Sequence, residues 1–385
     1  MSAPLVGRSE ERSDEESLFS LEFRAEVRFL ATLGMTFCGV VSKLRNKSLT
    51  SAPHLSVVFS SRLSSSRRRV ILSASIPMPE LPEVETIVRG LQRLLPGRRI
   101  LDVRLGKTDF IDDPVQLGES LPGCRIESVT RHGKFIVFAL LRSNPAASAT
   151  ASDVASKVTS AGVRMHLLVH LGMTGQLTVR PAADSAPPHT HAIFFLDDSR
   201  ELRYTDIRRF GRILVVADSR IGEFRDRLGA DPLEITEAEF ARRMGVRHAR
   251  IKALLLDQHA LRGMGNIYAD ESLWHARIHP ARQADLLTRK QLRALHREVR
   301  TVLQTAIRLR GSSVSDYVDA EGSPGRFQLR HRVYQREGKP CARCAAKIRR
   351  VIVAGRSSYF CPRCQRPPRV RKRARQSVDA IKRRR

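Results

Sequence analysis

The sequence predicts an α+β chain: a strand-rich N-terminal sandwich, a helical middle and a small β-hairpin module near the C-terminus. Three observations predict it. Between Ile100 and Val216 the apolar residues come in short runs of four to seven, bounded by turn signals. Near Gly229-Ala-Asp-Pro232 the apolar period switches to that of helices. Further on, Cys341, Cys344, Cys361 and Cys364 stand as two C-x2-C pairs separated by sixteen residues.

The elements follow in order. Glu83–Leu95 carries Val84, Ile87, Val88, Leu91, Leu94 and Leu95 at helical spacing and stops at Pro96-Gly97. Strands are expected at Ile100–Leu105, Ile126–Val129, Phe135–Leu141, Met165–Leu171, Ile193–Leu196 and Ile213–Val216. The Ala/Ser-rich stretch Ser143–Gly162 reads as a loop inserted between two strands. Helices are expected around 236–244, 249–258, 266–275, 287–309 and 312–319. Ile348–Val353 and Ser357–Phe360 read as a hairpin with Gly355-Arg356 at its turn. These readings divide the chain into an extension (1–77), a sandwich (78–228), a helical region (229–327), a cysteine module (328–366) and a basic tail (367–385).

Composition narrows the function. The 385 residues carry 68 Lys+Arg against 39 Asp+Glu, a formal net charge of +29. The first 77 residues contribute only +4 of this and the tail +8, so most of the excess lies between them. Such a charge points to a polyanion, most simply nucleic acid. No apolar run approaches the ~18–20 residues of a membrane helix, which excludes a helical membrane protein. Four of the six cysteines lie within 24 residues, and Cys38 and Cys124 are isolated. That pattern argues for a metal site in a reducing compartment rather than a disulfide framework. Each C-x2-C knuckle points two thiolates at one ion, and four thiolates leave no open position, so one structural zinc is expected.

Met78-Pro-Glu-Leu-Pro-Glu-Val-Glu-Thr86 is the most informative segment. Taken alone, proline and carboxylates in a first turn are ordinary helix-start chemistry. Six further segments stand with it: Arg131-His-Gly-Lys134, His170-Leu-Gly-Met-Thr-Gly175, Tyr204-Thr-Asp-Ile-Arg-Arg-Phe-Gly211, Gly263-Met-Gly-Asn-Ile-Tyr-Ala-Asp-Glu271, Val333-Tyr-Gln-Arg-Glu-Gly-Lys-Pro-Cys341 and Gly355-Arg-Ser-Ser-Tyr-Phe-Cys361. With these in this order, the chain from Met78 to about Gln365 resembles bacterial formamidopyrimidine-DNA glycosylase, the bifunctional 8-oxoguanine repair enzyme. Leu81 and Glu83-Val-Glu-Thr86 favour that branch over the sister enzymes that act on oxidised pyrimidines, which usually open Pro-Glu-Gly-Pro-Glu.

The resemblance implies a β-sandwich, a helix-two-turn-helix region and a zinc-finger hairpin, with lesion-containing duplex DNA as partner. It implies a monomer, a cytoplasmic location and no membrane. It makes the amine of Pro79 the nucleophile and Glu80 its acid, with Glu83 one turn away. Lys134 matches a lysine assigned to β-elimination, and Arg356 an arginine assigned to δ-elimination. A phosphate contact explains either charge as well. Met173, Arg208 and Phe210 match the side chains that fill the void left by the extruded nucleotide. His189 and Asn266 match phosphate-binding positions. The basic stretch Arg242–Lys252 is expected to add phosphate contacts at Arg247 and Lys252. Ser312–Phe327 matches the loop that covers the extruded base.

One departure stands out. In the chain as written Pro79 is internal, and its nitrogen is a tertiary amide with no usable lone pair. Residues 1–77 are therefore expected to be a start-site error, with translation beginning at Met78, or a segment removed before the enzyme works.

Overall fold

The computed structural model describes residues 78–143, 162–314 and 316–367. The readings made for residues 1–77, for most of Ser143–Gly162 and for residues 368–385 lie outside the described residues. Among the described residues no helix is long and apolar enough to cross a membrane.

The chain enters through helix α1 (Leu81–Leu94), with Pro82 in its first turn, where a missing N–H costs nothing. Strands β1 (Ile100–Leu105), β2 (Cys124–His132), β3 (Phe135–Arg142), β4 (Val163–His170), β5 (Gly175–Pro181), β6 (Thr190–Leu196), β7 (Arg200–Asp206) and β8 (Arg212–Ala217) follow. They form two antiparallel four-stranded sheets, ordered β1-β6-β7-β5 and β2-β3-β4-β8. Ile126, Phe138, Leu167 and Ile213 of one sheet share a core with Ile100, Leu177, Phe194 and Leu202 of the other. This is a sandwich with one short helix, α2 (Pro114–Ser120), whose Asp113 cap accepts the Gln116 N–H at 2.9 Å.

After helix α3 (Ile221–Asp226) the second core is helical, built from α4 (Glu237–Gly245), α5 (Ile251–Leu256), α6 (Asn266–His275) and α7 (Arg289–Arg308). Thr288 and Gln291 start α7 with reciprocal bonds of 3.0 and 3.2 Å between side chains and backbone N–H groups. Helix α1 bridges the two cores: Leu81 packs among the helices, while Val84, Ile87, Val88 and Leu91 pack into the sandwich. A third cluster joins Trp274 of α6 to Val333, Ile348 and the cysteines around hairpin β9 (Arg349–Val353) and β10 (Arg356–Phe360).

Two sequence expectations change. Among the described residues of 312–319 none is helical. The segment instead doubles back on itself, with the Phe327 N–H on the Gly311 carbonyl and the Ser313 hydroxyl on the Tyr317 carbonyl. Strands β5 and β7 were not among the six expected. In β7 the buried pair Glu201–Arg203, at 2.6 Å, makes polar residues part of the interior, and β5 carries only Leu177 and Val179 as large apolar residues.

Candidate active site and zinc module

Glu80 occupies the extended position before α1 and is 2% exposed. Its carboxylate accepts the backbone N–H of Ile267 at 3.0 Å and that of Tyr268 at 3.3 Å. These are orphan donors of the first turn of α6, where a helix favours negative charge. The contact needs Gly265, because a Cβ there would lie 2.2 Å from the Glu80 carboxyl carbon. Burial pushes the Glu80 carboxyl above its ordinary range, against the pull of Lys134 and the two N–H groups.

Glu83 lies one turn on and is equally buried. It accepts the Glu80 N–H at 2.9 Å, the Ser312 N–H at 2.7 Å and the Tyr268 hydroxyl. It thus ties α1 both to α6 and to the start of the Ser312–Phe327 loop. Burial, with the neighbouring Glu80 second, pushes its carboxyl up to about 7.

Lys134 sits in the turn between β2 and β3. Burial lowers its ammonium below the ordinary lysine range, Glu80 and Glu83 oppose that, and Arg356 reinforces it. Two other parts of the chain therefore present Glu80 and Arg356 to Lys134. Among the described residues neither Lys134 nor Arg356 has a carboxylate within 4.0 Å. Beside Lys134, His170 is buried, and its Nδ1 accepts the Gly172 N–H at 3.1 Å, which leaves the other ring nitrogen to carry the proton.

Three other expected residues share one tip. Met173 is half-buried and Phe210 is 48% exposed. The Arg208 guanidinium lies 4.4 Å from the centre of the Phe210 ring. His189 is exposed, in a left-handed backbone conformation at φ 63°. Asn266 opens α6, and its buried side-chain oxygen has no partner. Arg247 is exposed and paired with Asp257 at 3.0 Å.

Lys252 requires a correction. Its side chain is fully buried, 2.7 Å from Asp270, and donates to the Ser357 carbonyl at 2.9 Å. It cannot reach a phosphate outside. Asp270 in turn accepts the Tyr359 N–H at 2.9 Å, so this pair fastens the hairpin carrying Arg356 to α6. Glu271 does similar work on the approach to the module, accepting the N–H groups of Arg332, Val333 and Tyr334 at 2.9 Å each. Tyr268, Asp270 and Glu271 were not singled out from the sequence, although all three lie in the Gly263–Glu271 segment. Their burial was the missing signal.

The four cysteine sulfurs lie within 4.8 Å of one another, with Cys344–Cys361 at 3.4 Å and Cys341–Cys364 at 4.0 Å. A zinc tetrahedron with Zn–S bonds near ~2.3 Å has sulfur edges of about 3.8 Å, so the set fits one ion. Thiolates alone fill all four positions, and the ion's role there is structural. Arg343 docks the module, stacking 3.7 Å from the Trp274 ring centre and donating to the Trp274 carbonyl at 2.6 Å.

Family models match the same stretches. Residues 78–213 match the formamidopyrimidine-DNA glycosylase N-terminal domain, 228–318 its H2TH domain, and 338–367 the zinc finger found in FPG and IleRS. The formamidopyrimidine-DNA glycosylase of Solibacter usitatus is 43% identical over 293 residues, covering 75% of this chain and 100% of that protein. That of Pelotomaculum thermopropionicum is 41% identical over 295 residues, covering 75% and 99%. The chain belongs to the formamidopyrimidine-DNA glycosylase family. Glycosylases of this family are DNA-repair enzymes with lyase activity. A Lactococcus lactis FPG mutant bound to Fapy-dG-containing DNA superposes with a TM-score of 0.65 at 31% identity, covering 75% of this chain and 100% of that one. The L. lactis Fpg complex with abasic-site DNA gives 0.65 at 30%, with the same coverage.

Two predictions follow from the buried charges. Lys252→Ala leaves Asp270 buried without its cation, and should cost about 3–5 kcal/mol of stability in urea unfolding of the zinc-loaded protein. Glu83 holds its proton more tightly in the folded chain (about 7) than at its ordinary value of 4.5. The stability it contributes is therefore fully present below about pH 4.5 and lost as pH rises through 7. Glu83→Gln should flatten that decline by up to about 3 kcal/mol across unfolding curves taken at a series of pH values.

Proposed function

We propose that this protein is a bifunctional DNA glycosylase and AP lyase that removes oxidised purines, notably 8-oxoguanine and formamidopyrimidines, from duplex DNA. One observation carries this reading: Glu80, seated on the amine end of α6 and adjacent in the chain to Pro79, lies in the field of Lys134 from the sandwich, and Lys134 lies in turn in the field of Arg356 from the zinc hairpin.

The chemistry begins at the Pro79 nitrogen, which must be a free secondary amine. An α-amino group titrates near ~7.7–8.0, so a neutral fraction exists at physiological pH. The amine attacks C1′ of the damaged nucleotide and the base leaves. The resulting iminium draws electrons from the sugar, so that β- and then δ-elimination break the two sugar–phosphate bonds. Glu80, held above the ordinary carboxylate range by burial, is suited to hand a proton to the sugar ring oxygen and take it back in the Schiff-base steps. Lys134 and Arg356, cations without a carboxylate in contact, are suited to grip the phosphates flanking the lesion and to serve the two eliminations. Zinc supplies no step and holds the hairpin that presents Arg356.

Met173, Arg208 and Phe210 fill the void left when the nucleotide leaves the stack, with Arg208 reading the opposite cytosine. His189, Asn266 and, at the periphery, Arg247 add phosphate contacts. The loop from Ser312, anchored on Glu83, covers the extruded base. The domain limits that go with this reading are 78–228, 229–327 and 328–366, and the acting form is a cytoplasmic monomer.

The proposal requires that residues 1–78 be absent from the active form. In borohydride trapping on 8-oxoguanine DNA, a protein beginning at Pro79 should form a covalent adduct, and Pro79→Gly should weaken it by at least about tenfold. N-terminal sequencing of active protein that returned Met1 would sink the proline mechanism. One of the similar structures is a wild-type L. lactis FPG complex with oxidised-pyrimidine DNA, at 30% identity. Excision should therefore be measured on both lesion classes, and a preference for pyrimidines would replace the purine assignment. Cys361→Ala, which breaks the zinc tetrahedron, should reduce affinity for lesion duplex in a gel-shift titration.

A further inference from the structure

We propose that Asp206 is the positioning residue that holds Met173, Arg208 and Phe210 in one arrangement and thereby sets discrimination of the base opposite the lesion. This rests on the role given above to those three side chains.

Asp206 ends β7 and pairs across the sheet with Gly175, which opens β5. The segments carrying Met173 and Arg208–Phe210 therefore leave the sheet side by side. The Asp206 side chain is fully buried, in a place where a carboxylate is costly unless satisfied. Its Oδ1 accepts from the Thr174 hydroxyl at 2.5 Å and the Arg208 N–H at 3.3 Å. Its Oδ2 accepts from the Tyr204 hydroxyl at 3.0 Å and the Gly211 N–H at 2.9 Å. Three of these four donors belong to the two segments that form the tip. Each of the three lies next to, or within, a residue that fills the void: Thr174 follows Met173, Arg208 is bound through its own backbone, and Gly211 follows Phe210.

The arrangement has two further features. Asp206 fixes Arg208 through the backbone, and among the described residues no carboxylate lies within 4.0 Å of the Arg208 guanidinium, which rests over Phe210 instead. Its donors thus stay available for a base edge. The two segments also touch directly: a Cβ on Gly172 would lie 2.3 Å from the Phe210 carbonyl carbon. With backbones this close, the position of one segment dictates that of the other, and the carboxylate locks both.

Asp206→Asn keeps the volume and opens no cavity. An amide NH2 in the Oδ2 position leaves the Gly211 N–H without its acceptor, and in the Oδ1 position it leaves the Arg208 N–H only the Thr174 hydroxyl, at 3.2 Å. Thr174→Val, also close in volume, removes the hydroxyl that donates to Asp206 and accepts the Arg208 N–H at 3.2 Å, and leaves the other bonds of Asp206 in place. The test is binding of the zinc-loaded chain to three duplexes: a tetrahydrofuran abasic analogue opposite cytosine, the same analogue opposite adenine, and undamaged DNA.

The parent protein is expected to favour the cytosine duplex. Asp206→Asn should reduce that preference by roughly tenfold, the worth of one to two lost hydrogen bonds, while affinity for undamaged duplex stays within about twofold. Thr174→Val should shift the preference in the same direction by less, and carries the test alone if Asp206→Asn does not fold. An unchanged preference in the variants overturns the proposal. So does an equal loss on all three duplexes, which marks Asp206 as structural only. A parent protein that binds the abasic analogue no better than undamaged duplex sinks the void-filling reading itself, an outcome visible before any variant is made.

Discussion

The contact between the Glu80 carboxylate and the first turn of α6 is the constraint on which most of this structure depends. A buried carboxylate is tolerated only where donors replace its water, and the orphan N–H groups of Ile267 and Tyr268 do so at a helix end that already favours negative charge. To bring that end against α1, Gly265 must lack a side chain, and the Leu81 N–H must bond the Gly263 carbonyl at 3.0 Å. The sandwich and the helical region are thereby locked at the residue next to Pro79.

Helix α6 then distributes this constraint. Eight consecutive residues, Ile267 to Trp274, are buried, and four of them are bonded to different parts of the chain. Tyr268 holds Glu83, Asp270 holds Lys252 and β10, Glu271 holds the approach to the zinc module, and the Trp274 carbonyl holds Arg343. A helix polar by sequence is thus an interior strut. The zinc-held hairpin, with Arg356 at its turn, is aimed by contacts the metal does not make.

The same burial shapes the electrostatics. The chain is strongly basic, yet at Glu80, the residue after Pro79, a second carboxyl and a lysine come together, and burial shifts the proton affinity of each towards its neutral form. Outside this cluster lie the groups suited to DNA: half-buried or exposed Met173, Arg208 and Phe210, exposed His189 and Arg247, and Asn266 with an unpartnered oxygen. Buried groups with shifted proton affinity inside, and basic and polar groups outside, suit a site that binds a polyanion and moves protons.

By itself the sequence determined the order of the sandwich, helical and hairpin regions, because apolar period is local and changes from short runs to helical spacing near Gly229. It also determined the zinc ligands, because two knuckles need only their own spacing. The residues at the reacting centre were legible as motifs, each short and continuous. Tertiary structure decided what no local pattern carries. Strand β7 was hidden because Glu201 and Arg203 satisfy each other inside the sheet, and β5 because it carries only Leu177 and Val179 as large apolar residues. A helix expected at 312–319 gave way to a loop whose bonds run to Glu83 and back on itself. Lys252, a basic residue in a basic stretch, became an internal link because Asp270 waits on the facing helix. Charge written along a chain says nothing of which charges meet. Whether a lysine faces solvent or a carboxylate depends on residues far away in sequence, and only packing brings them together.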